Sequence, residues 1–348
     1  MFLNIRRGEE PGPELLIRLR DSALATDILI AAVGCLGLFD WLSENPCTLE
    51  SLCATKGYDE RPAAAMLTLL TSWGLLHESD GLYRVGKTAR DYLCADSPRN
   101  IIPYIASLKS RSSVAEVVDI LHRGHARAWK EDDDSAGKDR WGTLMQGPDF
   151  AAFYTSGMDT RGTLFGPALA DTLDCQGHRR LLDIAGGSGV YTAHLLLRYP
   201  HLAATVLERP PVDALARARL RDRGLDSRAQ VVAGDMFTDD YPTGHDLHLL
   251  SHVLHNWPLD KVRTILRRSF AAMPRGGEIA IFSVHLNDRP GGPPPGPMAE
   301  YSVLLAFLYE GRCYGVKEMR DELSAAGFGD FRCLATICHR TVLTARKP

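Results

Sequence analysis

The 348-residue sequence lacks the patterns that mark several large classes of protein. Its eight cysteines form no CxxC pair and are widely spaced, which excludes the usual zinc spacing and indicates free thiols in a reducing compartment. The net charge of −3 gives no basic footprint for nucleic acid or an anionic membrane. No apolar run reaches membrane-spanning length, and the opening MFLNIRRGEE has no signal-peptide core. We therefore expect a cytoplasmic protein that binds no metal, nucleic acid or membrane.

The sequence also lacks the two commonest phosphate-binding patterns, GxGxxG and the GKS/T of a phosphate loop. It has instead the segment Leu181–Tyr191, LLDIAGGSGVY. Here an apolar run with Asp183 near its end meets the turn Gly186-Gly187-Ser188-Gly189, and a helical pattern follows. This order predicts a strand, a glycine-rich turn and a helix, where backbone approaches a nucleotide-like ligand closely. A plain tight turn would also account for the glycines. The residues that follow the neighbouring strands must therefore decide between a plain turn and a ligand-binding turn.

Three later apolar runs carry acidic or polar residues at their ends. The run ATVLE ends in Glu208, where a carboxylate suits the two hydroxyls of a ribose. The next run is followed by Asp235, which suits an adenine amino group, and by Met236 and Phe237, which suit the ring face. The fourth run, Asp246–Leu250, leads into the segment SHVLHNW. A ligand with adenine and ribose but no phosphate is S-adenosylmethionine, and we predict it as the cofactor.

At these residues the chain resembles the class I S-adenosylmethionine-dependent methyltransferases. More narrowly, it is similar to the small-molecule O-methyltransferase family that includes plant caffeate and bacterial antibiotic O-methyltransferases. The motifs that carry the resemblance read DIAGGSG, LERPPV, GDMF and LHNW here, with GRCYG as a divergent fifth. The resemblance implies an α/β fold: a C-terminal doubly wound, Rossmann-like methyltransferase sheet after an N-terminal, mostly helical, winged-helix-like dimerisation domain. It also implies a homodimer and a role in bacterial secondary metabolism.

The N-terminal part shows the pattern of a winged-helix module. Apolar residues recur at helical spacing through residues 14–42, and helices are predicted at Thr48–Lys56 and Arg61–Trp73. A hairpin is predicted around Ser79-Asp80-Gly81. The third helix has one arginine where a DNA-recognition helix needs several basic or amide side chains. We therefore favour dimerisation, with faces such as Leu24–Phe39 packing on a partner, as the resemblance implies.

The predicted boundaries divide the chain into three parts. Residues 1–105 form the winged-helix-like dimerisation domain, 106–175 a helical linker that contributes to the substrate pocket, and 176–348 the cofactor-binding catalytic domain. Two segments are predicted as surface loops, Glu131–Lys138 because it is acidic and polar and Asn287–Pro297 because it is rich in Pro and Gly. Two closing strands are predicted at Phe331–Ala335 and His339–Thr344.

His255 is the predicted catalytic base. It follows the fourth strand, at the sheet edge where sites of this fold form, and it occupies the histidine position of LHxW that the resemblance assigns to the base. A histidine pKa of about 6.5 suits removal of a phenolic proton, whose own pKa is about 10. His252 is expected to be structural, and Trp257 to flank the adenosine or brace the loop. The predicted cofactor-binding residues are Asp183, Gly186, Gly187, Gly189, Glu208, Asp235, Met236, Phe237, Ser251 and Trp257.

The acceptor side departs from the family pattern. The resemblance implies two glutamates that support the histidine, and the matching positions here are Ser283 and Cys313. Glu310, three residues before Cys313, is a possible substitute in a shifted alignment. Three explanations stay open: O-methylation of an acidic phenol, C-methylation of a phenolic ring such as that of an aromatic amino-acid derivative, or a cofactor-binding relative with other chemistry. The predicted acceptor wall comprises Phe153, Tyr154, Met158, Ser283, His285, Met298, Tyr301, Leu305, Phe307 and Cys313.

Overall fold

A computed structural model describes residues 12–125, 140–286 and 294–348. Contacts divide the chain into two compact units, Met1–Asp134 with Leu286–Gly315 and Ser135–His285 with Val316–Pro348. The opening ten residues, the predicted loop Glu131–Lys138 and residues 287–293 of the second predicted loop lie outside the described residues. The boundaries at 105 and 175 remain a prediction, but the segment 286–315, predicted within the catalytic domain, belongs to the first unit.

The first unit is mostly helical. It contains α1 to α8 and one hairpin, with α14 supplied by the later segment. In chain order these elements are α1 (Pro13–Asp21), α2 (Ala25–Gly34), α3 (Leu38–Glu44), α4 (Leu49–Lys56), α5 (Glu60–Ser72), β1 (Leu76–Ser79), β2 (Leu82–Val85), α6 (Lys87–Tyr92), α7 (Ile102–Ala106), α8 (Ser112–Arg123) and α14 (Gly296–Leu308).

The prediction of one continuous helix through residues 14–42 was wrong, because the structure has three helices there. A turn after Asp21 separates α1 from α2, and Gly37, at φ +54°, separates α2 from α3. α2 ends at Gly34, and Gly37 is the residue directly before α3. Glycine adopts this left-handed conformation without steric cost, so the chain can turn between the two helices although the apolar spacing continues. The hairpin prediction was confirmed: Ser79 pairs with Leu82 across Asp80 and Gly81, both at positive φ.

The helix α14 packs against α5 inside the core of the first unit. Arg61, the one arginine of α5, donates hydrogen bonds to the backbone carbonyls of Ala306, Tyr309 and Gly124. The Arg18 guanidinium forms a two-pronged ion pair with Glu300, at 2.9 and 3.0 Å. These bonds explain how a segment from late in the sequence is held in the N-terminal unit.

The second unit is built on a seven-stranded sheet. Its elements are α9 (Arg140–Gln146), α10 (Pro148–Thr172), β3 (Arg180–Ile184), α11 (Val190–Arg198), β4 (Ala203–Glu208), α12 (Val212–Asp222), β5 (Ala229–Ala233), β6 (Leu247–Ser251), α13 (Leu259–Ala272), β7 (Glu278–Ser283), α15 (Val316–Ala325), β8 (Gly329–Ala335) and β9 (Thr341–Arg346). A short 3₁₀ turn, Leu254–Asn256, follows β6.

The strand order is β5-β4-β3-β6-β7-β9-β8. The first five strands are parallel, and β9 runs antiparallel to both of its neighbours, β7 and β8. After β3 the chain adds β4 and β5 on one side of it and then crosses over to add β6 on the other side. The carboxyl ends of β3 and β6 therefore flank the switch point where ligands bind in such sheets. The predicted α/β fold is confirmed. The last strand begins later than predicted, because Cys338 and His339 adopt positive φ in the turn before it.

The long helix α10 lies against α11 with no room for a side chain at two positions. A Cβ atom added to Gly162 would lie 2.2 Å from Val190, and one added to Gly166 would lie 2.1 Å from His194. The two glycines therefore allow close packing of α10 on the helix that follows the glycine-rich turn.

Across the described part of the chain, no single helix combines the length and apolar character needed to cross a membrane, although the bent pair Pro13–Gly34 and Leu38–Glu44 meets both criteria together.

Candidate active site

The glycine-rich turn forms the floor of a cleft in the second unit. A Cβ atom on Gly186 would lie 2.6 Å from the carboxyl carbon of Asp183 and 2.9 Å from Val206, so only glycine fits. Gly187 and Gly189 adopt φ of +59° and +73°, and Gly189 begins α11. Ala185 shares this left-handed region at φ +54°, although it carries a side chain. Ala185, Gly186 and Gly187 all line the cleft.

Asp183 lies beneath the turn. Its carboxyl group is fully buried, and Oδ2 accepts a hydrogen bond of 2.7 Å from Thr192. Burial raises the pKa of Asp183 to about 7 because no cation offsets the lost hydration. The side chain is not among the described residues that line the cleft, so direct cofactor contact by Asp183 remains a prediction.

Glu208, at the carboxyl end of β4, is fixed by the turn it faces. Its Oε2 accepts from the backbone N–H of Gly187 and its Oε1 from that of Arg209, both at 2.8 Å. Burial raises the pKa of this carboxyl, while the two backbone bonds oppose the shift. Each oxygen keeps a second lone pair. The side chain lines the cleft, and its contact with the ribose hydroxyls remains a prediction.

The neighbouring edge of the cleft is apolar with one acid behind it. Met236 and Trp257 line the cleft, and the Phe237 ring packs edge-on against Trp257 with centroids 4.8 Å apart. The Lys261 ammonium lies 4.4 Å from the centre of the Trp257 ring. Asp235 is half-buried and accepts a 2.7 Å bond from the backbone N–H of Phe237. The residues predicted to hold adenine thus form one contiguous group.

His255 is buried in the 3₁₀ turn after β6. Its Nδ1 lies 2.7 Å from the Oγ of Ser283 on the neighbouring strand β7. Burial holds the pKa of His255 well below 6.5, and the positive groups of Arg161, His285 and Arg340 lower it further. The imidazole is therefore neutral at pH 7, the form that can accept a proton.

His252 was expected to be structural and Ser251 to bind the cofactor, and both line the cleft. The Oγ of Ser251 and both ring nitrogens of His252 are buried without any hydrogen-bond partner. His252 also adopts φ +58°, a conformation that costs a residue with a side chain about 1–3 kcal/mol.

Three of the predicted acceptor residues on the second unit are brought near the cleft or near His255. Tyr154 and Met158, on α10, line the cleft, and Ser283 holds His255. His285 bonds Thr341 at 2.7 Å, and burial lowers its pKa to about 3. Phe153 is 78% exposed and does not line the cleft.

Two functional features of α10 were missed from the sequence. Arg161 lines the cleft. Asp159 accepts a 2.7 Å bond from Ser188 in the glycine-rich turn and forms an ion pair of 2.9 Å with Arg223, which follows α12. Asp159 thereby ties the helix that carries Tyr154 and Met158 to the floor of the cleft. No local pattern marks an aspartate in a long helix for such a role.

The remaining predicted acceptor residues belong to the first unit. All are buried there, and Phe307 is part of that unit's hydrophobic core: Met298, Tyr301, Leu305, Phe307 and Cys313. Their contact with an acceptor remains a prediction, as does a supporting role for Glu310.

The cleft fits a nucleoside that carries a polar amino-acid end. The glycine floor that excludes a Cβ and the residues Glu208 and Ser251 all line it. Among the residues that the structure describes, no group of three or more His, Cys, Asp or Glu side chains is arranged to hold a metal ion.

Comparison with known proteins agrees with this geometry. A model of the O-methyltransferase domain family matches residues 117–329. A 3-hydroxy-5-methyl-1-naphthoate 3-O-methyltransferase from Streptomyces sahachiroi is 31% identical over 92% of this chain and 90% of that protein. An L-tyrosine C(3)-methyltransferase from Streptomyces lavendulae is 28% identical over 84% and 81%. An O-methyltransferase family 2 protein from Planctomyces limnophilus, solved with apigenin, superposes with a TM-score of 0.84 at 28% identity, covering 98% of each chain.

Proposed function

The chain belongs to the O-methyltransferase domain family, and on that premise we propose that it methylates a hydroxyl group of an aromatic small molecule in bacterial secondary metabolism. It is an S-adenosylmethionine-dependent methyltransferase. The observation that carries the proposal is a cleft whose glycine floor and Glu208 suit this cofactor, next to a neutral, buried His255. His255 does not itself line the cleft, but its ring lies 5.5 Å, centroid to centroid, from that of His252, which does. The named substrates of the relatives, a hydroxynaphthoate and apigenin, support an aromatic acceptor.

Bound S-adenosylmethionine supplies an electrophilic methyl group. Gly186 and Gly187 let backbone approach its amino-acid end, Glu208 accepts from its ribose, and Met236 with Trp257 covers its adenine. His255 takes the acceptor's proton: with Nδ1–H donating to Ser283, Nε2 carries the lone pair. The deprotonated acceptor oxygen would then be the nucleophile for the methyl group that bound S-adenosylmethionine would supply, with S-adenosylhomocysteine as the other product.

The low pKa of His255 selects among acceptors. No carboxylate bonds its Nδ1, which meets a serine hydroxyl instead, so the imidazolium formed by proton transfer gains little stabilisation. Proton transfer from an ordinary phenol to such a weak base is energetically unfavourable. We therefore propose an acceptor whose hydroxyl is acidic, the first of the three explanations that the sequence left open.

C-methylation of a phenolic ring is the second candidate, and one relative favours it. The L-tyrosine C(3)-methyltransferase covers most of this chain, and a phenolate is nucleophilic at its ortho carbon as well as at oxygen. The same base serves both reactions, with only the tilt of the acceptor changed. Nuclear magnetic resonance of the product separates them, because a methyl group on oxygen and one on carbon differ widely in chemical shift.

Cofactor binding is tested by thermal unfolding. S-adenosylmethionine or its demethylated product, S-adenosylhomocysteine, binds the folded state and should therefore raise Tm. The free energy of unfolding should rise by about 2.7 kcal/mol when the ligand concentration is 100 times Kd. The absence of any shift at millimolar ligand would contradict the proposal.

We also propose a homodimer formed through the first unit, in the cytoplasm. Leu16 and Leu19 on α1 are 68% and 59% exposed, a costly arrangement for a helix with no partner on that side. All eight cysteines are free thiols, which suits a reducing compartment. Sedimentation should give a dimer for the native chain and a monomer for the Leu16→Asp, Leu19→Asp variant. A native monomer at micromolar concentration would refute the dimer.

A further inference from the structure

We propose that Asp159 is a positioning residue that makes the order of the acceptor wall on α10 depend on the bound cofactor. The part of α10 concerned is residues 148–161, which we call the acceptor segment and which carries Tyr154 and Met158. A cofactor that fills the cleft holds the glycine-rich turn, and the hydrogen bond between Ser188 and Asp159 transmits this order to the acceptor segment. The inference rests on the proposed function and adds a coupling between its two binding sites.

The Asp159 carboxylate joins the floor of the cleft to two helices. Its Oδ1 accepts a hydrogen bond of 2.7 Å from the Oγ of Ser188. The guanidinium of Arg223, which follows α12, donates to both carboxylate oxygens, at 2.9 and 3.0 Å. Ser188 is 3% exposed, lines the cleft and lies between Gly187 and Gly189, which both adopt positive φ. Because hydrogen bonds to a charged group are stronger than those between neutral groups, Asp159 is a firm link between α10 and the turn.

The acceptor segment buries few residues of its own. Within residues 148–161 only Ala151 and Thr155 are buried. The rest of the helix buries five residues: Gly162, Phe165, Gly166, Leu169 and Ala170. Segments with few buried contacts open locally at a low free-energy cost. The hydrogen bonds of Asp159 therefore have a large effect on the order of the acceptor segment.

The remainder of α10 is fixed without a ligand. Asp159, Gly162 and Gly166 are three and four residues apart, so they lie on one face of the helix. At the two glycines this face packs on α11 so closely that an added Cβ atom would lie 2.2 and 2.1 Å from its side chains. At Asp159 the same face instead meets Ser188, in the turn that the cofactor contacts in the proposed mode. Bound cofactor therefore acts on α10 at the end of the face that belongs to the acceptor segment.

Tyr154 and Met158 respond to any movement of Asp159. Both line the cleft, and Met158 directly precedes Asp159 in the chain. In the proposed mode the amino-acid end of the cofactor lies over the turn, and the acceptor meets Tyr154 and Met158. Cofactor binding therefore prepares the surface that the acceptor contacts, and by thermodynamic linkage the acceptor tightens cofactor binding by the same factor.

The test is hydrogen–deuterium exchange of the full chain, read by mass spectrometry, with and without saturating S-adenosylhomocysteine. Three parts are compared: the glycine-rich turn, the acceptor segment and residues 162–172. In the wild type we expect the ligand to slow exchange in the turn and to slow it about tenfold in the acceptor segment, as the strengthening of one hydrogen bond would. Residues 162–172 should change less than about twofold, because their packing does not depend on the ligand. The result depends neither on turnover nor on the identity of the acceptor.

Two variants remove the link from its two sides. Asp159→Ala deletes the carboxylate that accepts the bond, and Ser188→Ala deletes only the hydroxyl that donates it. Each variant is saturated with S-adenosylhomocysteine according to its own Kd. The turn should stay protected in both, while the slowing in the acceptor segment falls below about twofold. The double variant should show no further loss, because both changes remove the same bond.

Asp171→Ala is the matched control on the same helix. Asp171 lies in the last turn of α10, is 72% exposed and pairs with Arg198 of α11 at 3.3 Å. An exposed pair of this kind contributes little, so this variant should keep the slowing of about tenfold in the acceptor segment.

The proposal is overturned if S-adenosylhomocysteine protects the turn of the wild type but not its acceptor segment, or if both alanine variants keep the wild-type protection of that segment. Ser188→Ala removes a single hydroxyl and decides the matter by itself if Asp159→Ala does not fold. Protection of neither the turn nor the acceptor segment, with no rise in Tm, would refute the cofactor binding of the proposed function, and this proposal with it.

Discussion

The Nδ1 atom of His255 lies 2.7 Å from the Oγ of Ser283, where the family pattern places a carboxylate. The hydroxyl holds the ring in place, but it adds no charge to stabilise an imidazolium. Burial keeps the pKa of His255 low, and this contact does nothing to raise it.

The variant Ser283→Asp should make His255 more basic. A carboxylate beside the imidazole favours its charged form and raises its pKa from its present value well below 6.5. The acidic limb of the profile of kcat/KM against pH should therefore move to higher pH, with relatively less activity at pH 5.5 than at pH 7.5. Ser283→Asn, of similar size and neutral, is the control. An identical limb in the Asp variant and the wild type would show that His255 is not the titrating base.

Glu208→Gln should weaken cofactor binding without unfolding the protein. The amide oxygen can still accept from the N–H of Gly187, but the charge that receives the ribose hydroxyls is lost. We expect the Kd of S-adenosylhomocysteine to rise about ten- to hundredfold by calorimetry. The exposed Glu50→Gln, in the other unit, should leave Kd unchanged. Equal affinities for all three proteins would remove Glu208 from the cofactor site.

Ala185→Gly should stabilise the protein. Ala185 stands at φ +54°, which costs a side-chain residue about 1–2 kcal/mol, while glycine loses about 0.5–1 kcal/mol more backbone entropy on folding. The free energy of unfolding in urea should thus rise by about 0.5–1 kcal/mol. Ala151→Gly, within the right-handed helix α10, should lower it by about 1 kcal/mol. A loss of stability at position 185 would mean that the methyl group contributes packing that outweighs the strain.

Stability should fall as pH drops from 7 to 5.5. Burial lowers the pKa of His248, His252, His255 and His285 in the folded state, so below about pH 6.5 only the unfolded chain takes up these four protons. Each of these histidines then lowers the free energy of unfolding by about 1.2 kcal/mol between pH 7 and pH 5.5. Asp183, with its pKa raised to about 7, binds a proton in the folded state, and this offsets about 1.6 kcal/mol of the loss in stability.

The net loss expected from these five groups is about 3 kcal/mol, measured by urea unfolding at the two pH values. The His248→Gln variant should show a shallower pH dependence than the wild type, because one buried imidazole is gone. Constant or rising stability toward pH 5.5 would contradict the neutral, buried state of these histidines, including the base.

The cofactor half of the site follows directly from sequence. Each parallel strand is a short apolar run, and an acid at or just after its end lies at one sheet edge, so Asp183, Glu208 and Asp235 could be placed from spacing alone. Strand spacing predicts the position of Asp183 but not the hydrogen bonds that its carboxyl group already makes. The sequence pattern therefore did not show that Asp183 lies under the turn.

The acceptor half was much less predictable. The ring of His252 contacts the rings of Phe165 and Tyr191, which are 87 and 61 residues away in sequence. The assignment of residues 286–315 to the first unit depends on Arg61 reaching the carbonyls of Ala306 and Tyr309. Such long-range contacts leave no local periodicity to read.

The most direct test of the account is transfer of a labelled methyl group from S-adenosylmethionine to 2,3-dihydroxynaphthalene at pH 7.5, by wild type and His255→Ala. We predict label on the acceptor oxygen, with turnover reduced about 10²- to 10⁴-fold in the variant and S-adenosylhomocysteine binding retained. Full turnover by His255→Ala would contradict the assigned base. No labelled product from the wild type with any hydroxyarene, despite cofactor binding, would contradict the proposed methylation of aromatic acceptors.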